Sequence, residues 1–140
     1  MLKIYTDGAL ATSTNTGGLG VVFVKDDKVV RTFNKKFENV TNNKMELAAV
    51  IIALQTLIKN DIKEATIVTD SQYVIGCATK GWKRKKNKRL WERYDTLIKE
   101  LDSKNIIINY EWVRGHNGNE FNEIADKLAV AASTEPELKF

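Results

Sequence analysis

Scarcity narrows this chain first. It has one cysteine, Cys77, among 140 residues, so no internal disulfide can form and a reducing compartment is expected. The single proline, Pro136, falls in a tail (134–140) that is expected to be loose. The start, Met1 to Asp7, carries no apolar run of the kind a secretory signal needs. The longest greasy stretch, Met45 to Ile58, is broken by Glu46 and Gln55 and falls short of a membrane span. These absences exclude disulfide scaffolds and membrane-spanning helices, and the expectation is a cytoplasmic protein with no membrane partner. The apolar fraction of 43% is that of an ordinary globular chain, and no repeat or linker divides it, so residues 1–133 are expected to form one domain.

Acidic residues are missing from one place. Residues 80–89 (KGWKRKKNKR) hold seven of the 22 basic residues and no acid. The remaining 130 residues then carry 15 basic and 18 acidic groups, so the whole positive excess lies in this run. Lys83, Arg84, Lys85 and Lys86 beside Trp82 suit a polyanion, most simply a nucleic-acid backbone, although a solvated loop would show the same composition.

Hydrophobic periodicity orders the rest. Leu2 to Thr6 alternates as a strand ended by Asp7-Gly8, and a polar loop runs on through Gly18. Leu19–Val24 and Lys28–Phe37 are two further strands joined at Asp26-Asp27, completing an antiparallel meander. A helix over 43–60 precedes a short apolar strand, Ala65–Thr69, of the kind buried on both faces. Helices over 71–79 and 88–103, a strand over 106–113 and a helix over 119–132 complete the order βββαβααβα. This is an α/β chain with a mixed five-stranded sheet flanked by helices. The βαβ crossover makes strand four parallel to strand one, so Asp7 and Asp70, at their C-terminal ends, should meet on one sheet edge.

Each acid also has an ordinary reading. Asp7-Gly8 can be a turn, Asn43-x-x-Glu46 a capping box, Asp70 an N-cap, and Asp126 a solvent-facing helix residue. Singly, those readings are the more economical ones; convergence favours a metal-holding cluster of Asp7, Glu46, Asp70 and Asp126. Paired divalent ions about 3.5–4 Å apart need several carboxylates to hold them. Asn122 and Asp126 share a helix face that would reach the same edge. His116, flanked by glycines after the last strand, is unlike a packed core residue and is either an ordinary loop histidine or a mobile proton carrier.

These residues carry a resemblance. Tyr5-Thr6-Asp7-Gly8, Thr41-Asn42-Asn43-Lys44-Met45-Glu46-Leu47, Thr69-Asp70-Ser71-Gln72-Tyr73-Val74 and Trp112-Val113-Arg114-Gly115-His116 resemble signature blocks of type 1 ribonuclease H. Asn122-Glu123-x-x-Asp126-x-Leu128-Ala129 is similar to the fifth, and the five stand in the family's order. The resemblance implies the ribonuclease H-like fold and an endonuclease that cuts the RNA strand of RNA–DNA hybrids with two Mg²⁺ ions, or Mn²⁺, leaving 5′-phosphate and 3′-hydroxyl ends. It implies Asp7, Glu46, Asp70 and Asp126 as metal ligands and His116 as an aid to proton transfer or product release. It also places Thr41, Asn42, Asn43 and Gln72 on the hybrid, where amides can read a 2′-hydroxyl.

The chain departs from the pattern in two places. The interval that holds a basic handle helix in bacterial members is short, and the 80–89 run stands in its place, with Trp82 either gripping the DNA strand or packing at a helix end. The first loop reads Ser13-Thr14-Asn15-Thr16-Gly17 instead of Gly-Asn-Pro-Gly. The expectation is a free-standing monomer with no obligate protein partner. The competing readings are a reverse-transcriptase-derived domain, a non-catalytic nucleic-acid-binding module, and a DNA nuclease on the same fold.

Overall fold

A computed structural model describes residues 1–115 and 118–134. Its elements are β1 (Leu2–Ala11), β2 (Thr16–Lys25), β3 (Lys28–Glu38), α1 (Asn42–Lys59), β4 (Glu64–Thr69), α2 (Gln72–Thr79), α3 (Lys88–Ser103), β5 (Ile107–Trp112) and α4 (Glu120–Thr134). The element order is the one the hydrophobic pattern predicts. The five strands lie in the order β3-β2-β1-β4-β5. β1–β2 and β2–β3 pair antiparallel, while β1–β4 and β4–β5 pair parallel. No described helix is long and apolar enough to cross a membrane.

Alternation along the strands sorts side chains to two cores. Ile4, Val21, Phe23 and Ile67 face α1 and α3, where Leu47, Val50, Leu54, Leu57, Trp91 and Leu97 pack against them. Tyr5, Val22, Val24 and Val68, one register position away, face α4 through Ala125, Phe121, Ile124 and Leu128. The central strands are therefore covered on both sides. Asp26 and Asp27 both take positive φ in the two-residue turn between Lys25 and Lys28, as a type I′ hairpin requires.

Three boundaries differ most from the sequence pattern. β1 does not stop at Asp7-Gly8 but runs to Ala11, because its antiparallel partner continues pairing as far as Ala11↔Thr16. The expected loop shrinks to residues 12–15 and Thr16–Gly18 join β2. The parallel pairing with β4 does end at Thr6↔Thr69, which leaves Asp7 and Asp70 as the next residue on each strand. At the other end, Thr134 belongs to α4, its hydroxyl donating to the Val130 carbonyl, so the helix extends into the expected tail; residues 135–140 lie outside the described residues.

Candidate active site

Where the parallel pairing of β1 and β4 ends, the two chains part and three carboxylates converge. Asp7, Glu46 and Asp70 each place a potential ligand atom within 4.8 Å of the others. Asp7 comes from β1, Asp70 from the β4–α2 junction, and Glu46 from the first turns of α1. Asp7 and Glu46 are both only 4% exposed, whereas Asp70 is half-buried.

Glu46 is not a capping residue. The N-cap of α1 is Thr41, whose side chain accepts the Lys44 N–H at 3.2 Å. Glu46 instead turns into the cluster, and its Oε1 accepts the Gly8 N–H at 2.7 Å. The same N–H lies 2.9 Å from Asp7 Oδ1, so one backbone donor ties both carboxylates. Gly8 is required for this approach, since a Cβ there would stand 2.7 Å from the Glu46 backbone nitrogen. Asp70 is not a cap either. Ser71 caps α2 by accepting the Val74 N–H at 3.1 Å, which leaves the Asp70 side chain free for the cluster.

Neighbours hold Asp70 from two sides. The Trp112 indole N–H donates to its carbonyl oxygen at 3.2 Å, and the buried Asn122 amide donates to its Oδ2 at 3.4 Å. Asn122 is set by Asn119, whose side chain accepts the Asn122 N–H at the start of α4. Gly115 closes over Asp70, where a Cβ would lie 2.9 Å from Oδ2. Asp126, half-buried on α4, stands outside the three-carboxylate group but near enough for its charge to reach Asp7. His116 lies outside the described residues.

Burial and like charge make this cluster unfavourable without a cation. Burial pushes the Asp7 carboxyl up to about 7, and the charges of Asp70 and Asp126 push the same way. Glu46 is raised well above the ordinary carboxylate range, again chiefly by burial, with Asp7 and Asp70 adding repulsion. Glu46 Oε2 is buried with no hydrogen-bond partner among the described residues. An orphaned buried oxygen among carboxylates is a cation ligand's environment, and hard oxygen donors suit Mg²⁺ or Mn²⁺. The residues fit a divalent ion.

The basic run follows α2, the helix that begins just after Asp70. Between α2 and α3, residues 80–87 form no helix, as the short interval implies. Lys83, Lys85 and Lys86 line a groove of about 340 Å³ together with Thr41, Asn43, Tyr73 and Asn87. Asn42 and Gln72 are exposed at the starts of α1 and α2. Arg84 turns the other way. Its guanidinium donates to both Asp95 oxygens at 2.8 Å and to the Cys77 carbonyl at 3.2 Å, and stacks 4.3 Å above the Trp91 ring. Residues 83–86 are thus three lysines presented outward and one arginine holding the segment to α3. Spacing gives no sign of this split, because all four cations are consecutive. Tyr73 and Asn87, which sequence reasoning missed as groove residues, are linked by an Asn87 amide donation to the Tyr73 hydroxyl at 3.1 Å.

Known proteins share this architecture. A family model for RNase H matches residues 1–134. The ribonuclease H of Desulforamulus reducens is 38% identical over 151 aligned residues, covering 98% of this chain and 90% of that protein. The N-terminal RNase H domain of a Mycobacterium tuberculosis protein, solved as a fusion with maltose-binding protein, superposes with a TM-score of 0.77 at 29% identity, covering 94% of this chain and 92% of that one. RNase H1 from the halophilic archaeon Halobacterium salinarum gives a TM-score of 0.75 at 26% identity over 94% of this chain and 96% of that one. With the match running from β1 to the end of α4, and the three carboxylates standing at the sheet edge between them, the chain belongs to the ribonuclease H family.

Proposed function

We propose that this nuclease hydrolyses the RNA strand of RNA–DNA hybrids, leaving 5′-phosphate and 3′-hydroxyl ends, with two Mg²⁺ ions as its natural cofactor and Mn²⁺ as a substitute. The observation that carries the proposal is the convergence of Asp7, Glu46 and Asp70, with one Glu46 oxygen that has no partner among the described residues. Those three carboxylates would hold the ions, with Asp126 completing the set from α4. Bound divalent ions supply Lewis acidity toward the attacking water and the leaving oxygen. The carboxylates' own task is to stay in place, and the Gly8 N–H, the Asn122 amide and the Trp112 indole hold them there. Asn42, Asn43 and Gln72, exposed beside the cluster, support reading of the 2′-hydroxyl that separates RNA from DNA. Lys83, Lys85 and Lys86 attract the backbone of the complementary strand. His116 is assigned proton movement at the leaving 3′-oxygen, and its neighbour Gly115 reaches Asp70.

The test is cleavage of one labelled RNA presented with Mg²⁺ as hybrid, as duplex RNA and as single strand, with labelled duplex DNA alongside. Cutting of the hybrid alone, lost in Asp70→Asn, is the expected result. No cutting of any substrate, with Mn²⁺ as well, would turn the reading to a binding module.

A further inference from the structure

We propose that the groove on the β5 side of α2 binds an unpaired nucleotide of the cut strand, stacked between Trp82 and Trp112. The inference rests on the hybrid-cutting reading above and names a contact that the reading does not require.

The described residues include only two aromatics among their exposed large hydrophobics, Trp82 at 48% and Trp112 at 44%. Both line one groove of about 290 Å³, with Gln72, Ile75 and Lys80. Other indoles and phenols pair with one another, as in Tyr73–Trp91 and Trp91–Tyr94, yet these two make no ring contact among the described residues. Each is held rigid. The Trp82 backbone N–H donates to the Gly76 carbonyl, and its ring lies so close over Gly76 that a Cβ there would run into it. The ring is therefore packed on α2 at Gly76 while about half of the residue stays exposed. Trp112 is fixed by its own donation to Asp70.

The chemistry selects a nucleotide. The volume is near the lower end of small-molecule sites, about 300–1,000 Å³, which suits one planar group and excludes a helix. Rigid aromatics stack on any base without sequence preference, Gln72 can bond a base edge, and Lys80, with no carboxylate partner among the described residues, can meet its phosphate. Bases inside a duplex have both faces covered by their neighbours, so a base that enters between two indoles has to be unpaired. The cut strand is the one in reach, because Trp112 is bonded to Asp70 and Gln72 opens the helix just after it. The lysine groove, by contrast, is entered past Tyr73 on the other flank of α2.

The experiment compares a blunt RNA–DNA hybrid with the same hybrid carrying a short single-stranded RNA extension, placed at either end in separate duplexes, and with a matching DNA extension. Binding is measured in Ca²⁺ on variants whose cooperative thermal melts show them folded, and the readout is the ratio of extended to blunt affinity within each protein. An RNA extension at one end should tighten binding about tenfold, within what one stacked base contributes. The ratio should fall to about one in Trp82→Leu and in Trp112→Leu. A wild-type ratio of one, a gain confined to the DNA extension, or a gain that survives both substitutions overturns the proposal. If the blunt hybrid is not bound at all, the underlying reading has failed instead. A short single-stranded RNA titrated against indole fluorescence then decides the groove by itself: saturable quenching lost in both variants upholds it, and no quenching overturns it.

Discussion

The acid cluster and the lysine groove are built in opposite ways from charge of opposite sign. Asp7, Glu46 and Asp70 come from three elements and are pressed together by strand pairing, two of them almost wholly buried. Lys83, Lys85 and Lys86 come from one run and stand exposed. Burying an unpaired ion costs several kcal/mol, so the acids are unfavourable until a cation joins them, whereas exposed lysines cost almost nothing. The difference predicts how each region fails. The cluster should fail at once when one member is changed, and the groove should weaken in small increments.

Neutralising Asp70 is the largest test. Asp70→Asn keeps the shape and removes a ligand charge, so turnover should drop at least about 10²-fold, the scale of losing one strong electrostatic stabiliser. Single-turnover cleavage with saturating enzyme checks this apart from binding, and activity within tenfold of wild type would break the assignment. Glu46→Gln should do the opposite to stability that it does to activity. Without divalent ions it relieves buried repulsion and should raise Tm by roughly 3–5 °C for each kcal/mol gained, while abolishing the rise in Tm that Mg²⁺ gives the wild type.

The acids also set a pH dependence whose sign follows from their direction of shift. Asp7 is raised to about 7, so between the unfolded carboxylate value of about 4 and pH 7 the folded state holds the extra proton. Stability of the metal-free protein should therefore be highest at the acid end of that window and decline as pH rises through it. Thermal melts in chelator from pH 4.5 to 7.5 measure the slope. Asp7→Asn should flatten it, and Mg²⁺ should remove it at the neutral end.

How much of this is legible in the chain depends on range. The element order is legible because apolar periodicity is local, and so is the meeting of Asp7 and Asp70, because a βαβ crossover leaves little choice of strand direction. The end of β1 is not, since Asp7-Gly8 looks like a turn, while its pairing through Ala11 depends on the partner strand starting at Thr16, inside a stretch that reads as a polar loop. Glu46 fits a capping box equally well on spacing, and only the position of Gly8 across the sheet shows which partner it takes. The separate course of Arg84 rests on Asp95 and Trp91 in α3, and nothing in a run of cations points there.

The groove gives smaller effects that separate attraction from architecture. Changing Lys83, Lys85 and Lys86 together to Gln should raise KM about tenfold, leave kcat nearly unchanged, and flatten the salt dependence of binding by about 0.9 in log–log slope for each phosphate no longer neutralised. A collapse of kcat instead would put the segment in the catalytic centre. Arg84→Lys keeps the charge and removes the forked pair with Asp95 and the stack on Trp91. Because that pair is partly solvent-screened, the expected cost is only about 1 kcal/mol. The salt slope should stay at the wild-type value, because Arg84 contributes no outward charge to the groove. A slope reduced as far as in the lysine variant would mean that Arg84 meets the backbone directly, and that the division between three presenting cations and one anchoring cation is drawn in the wrong place.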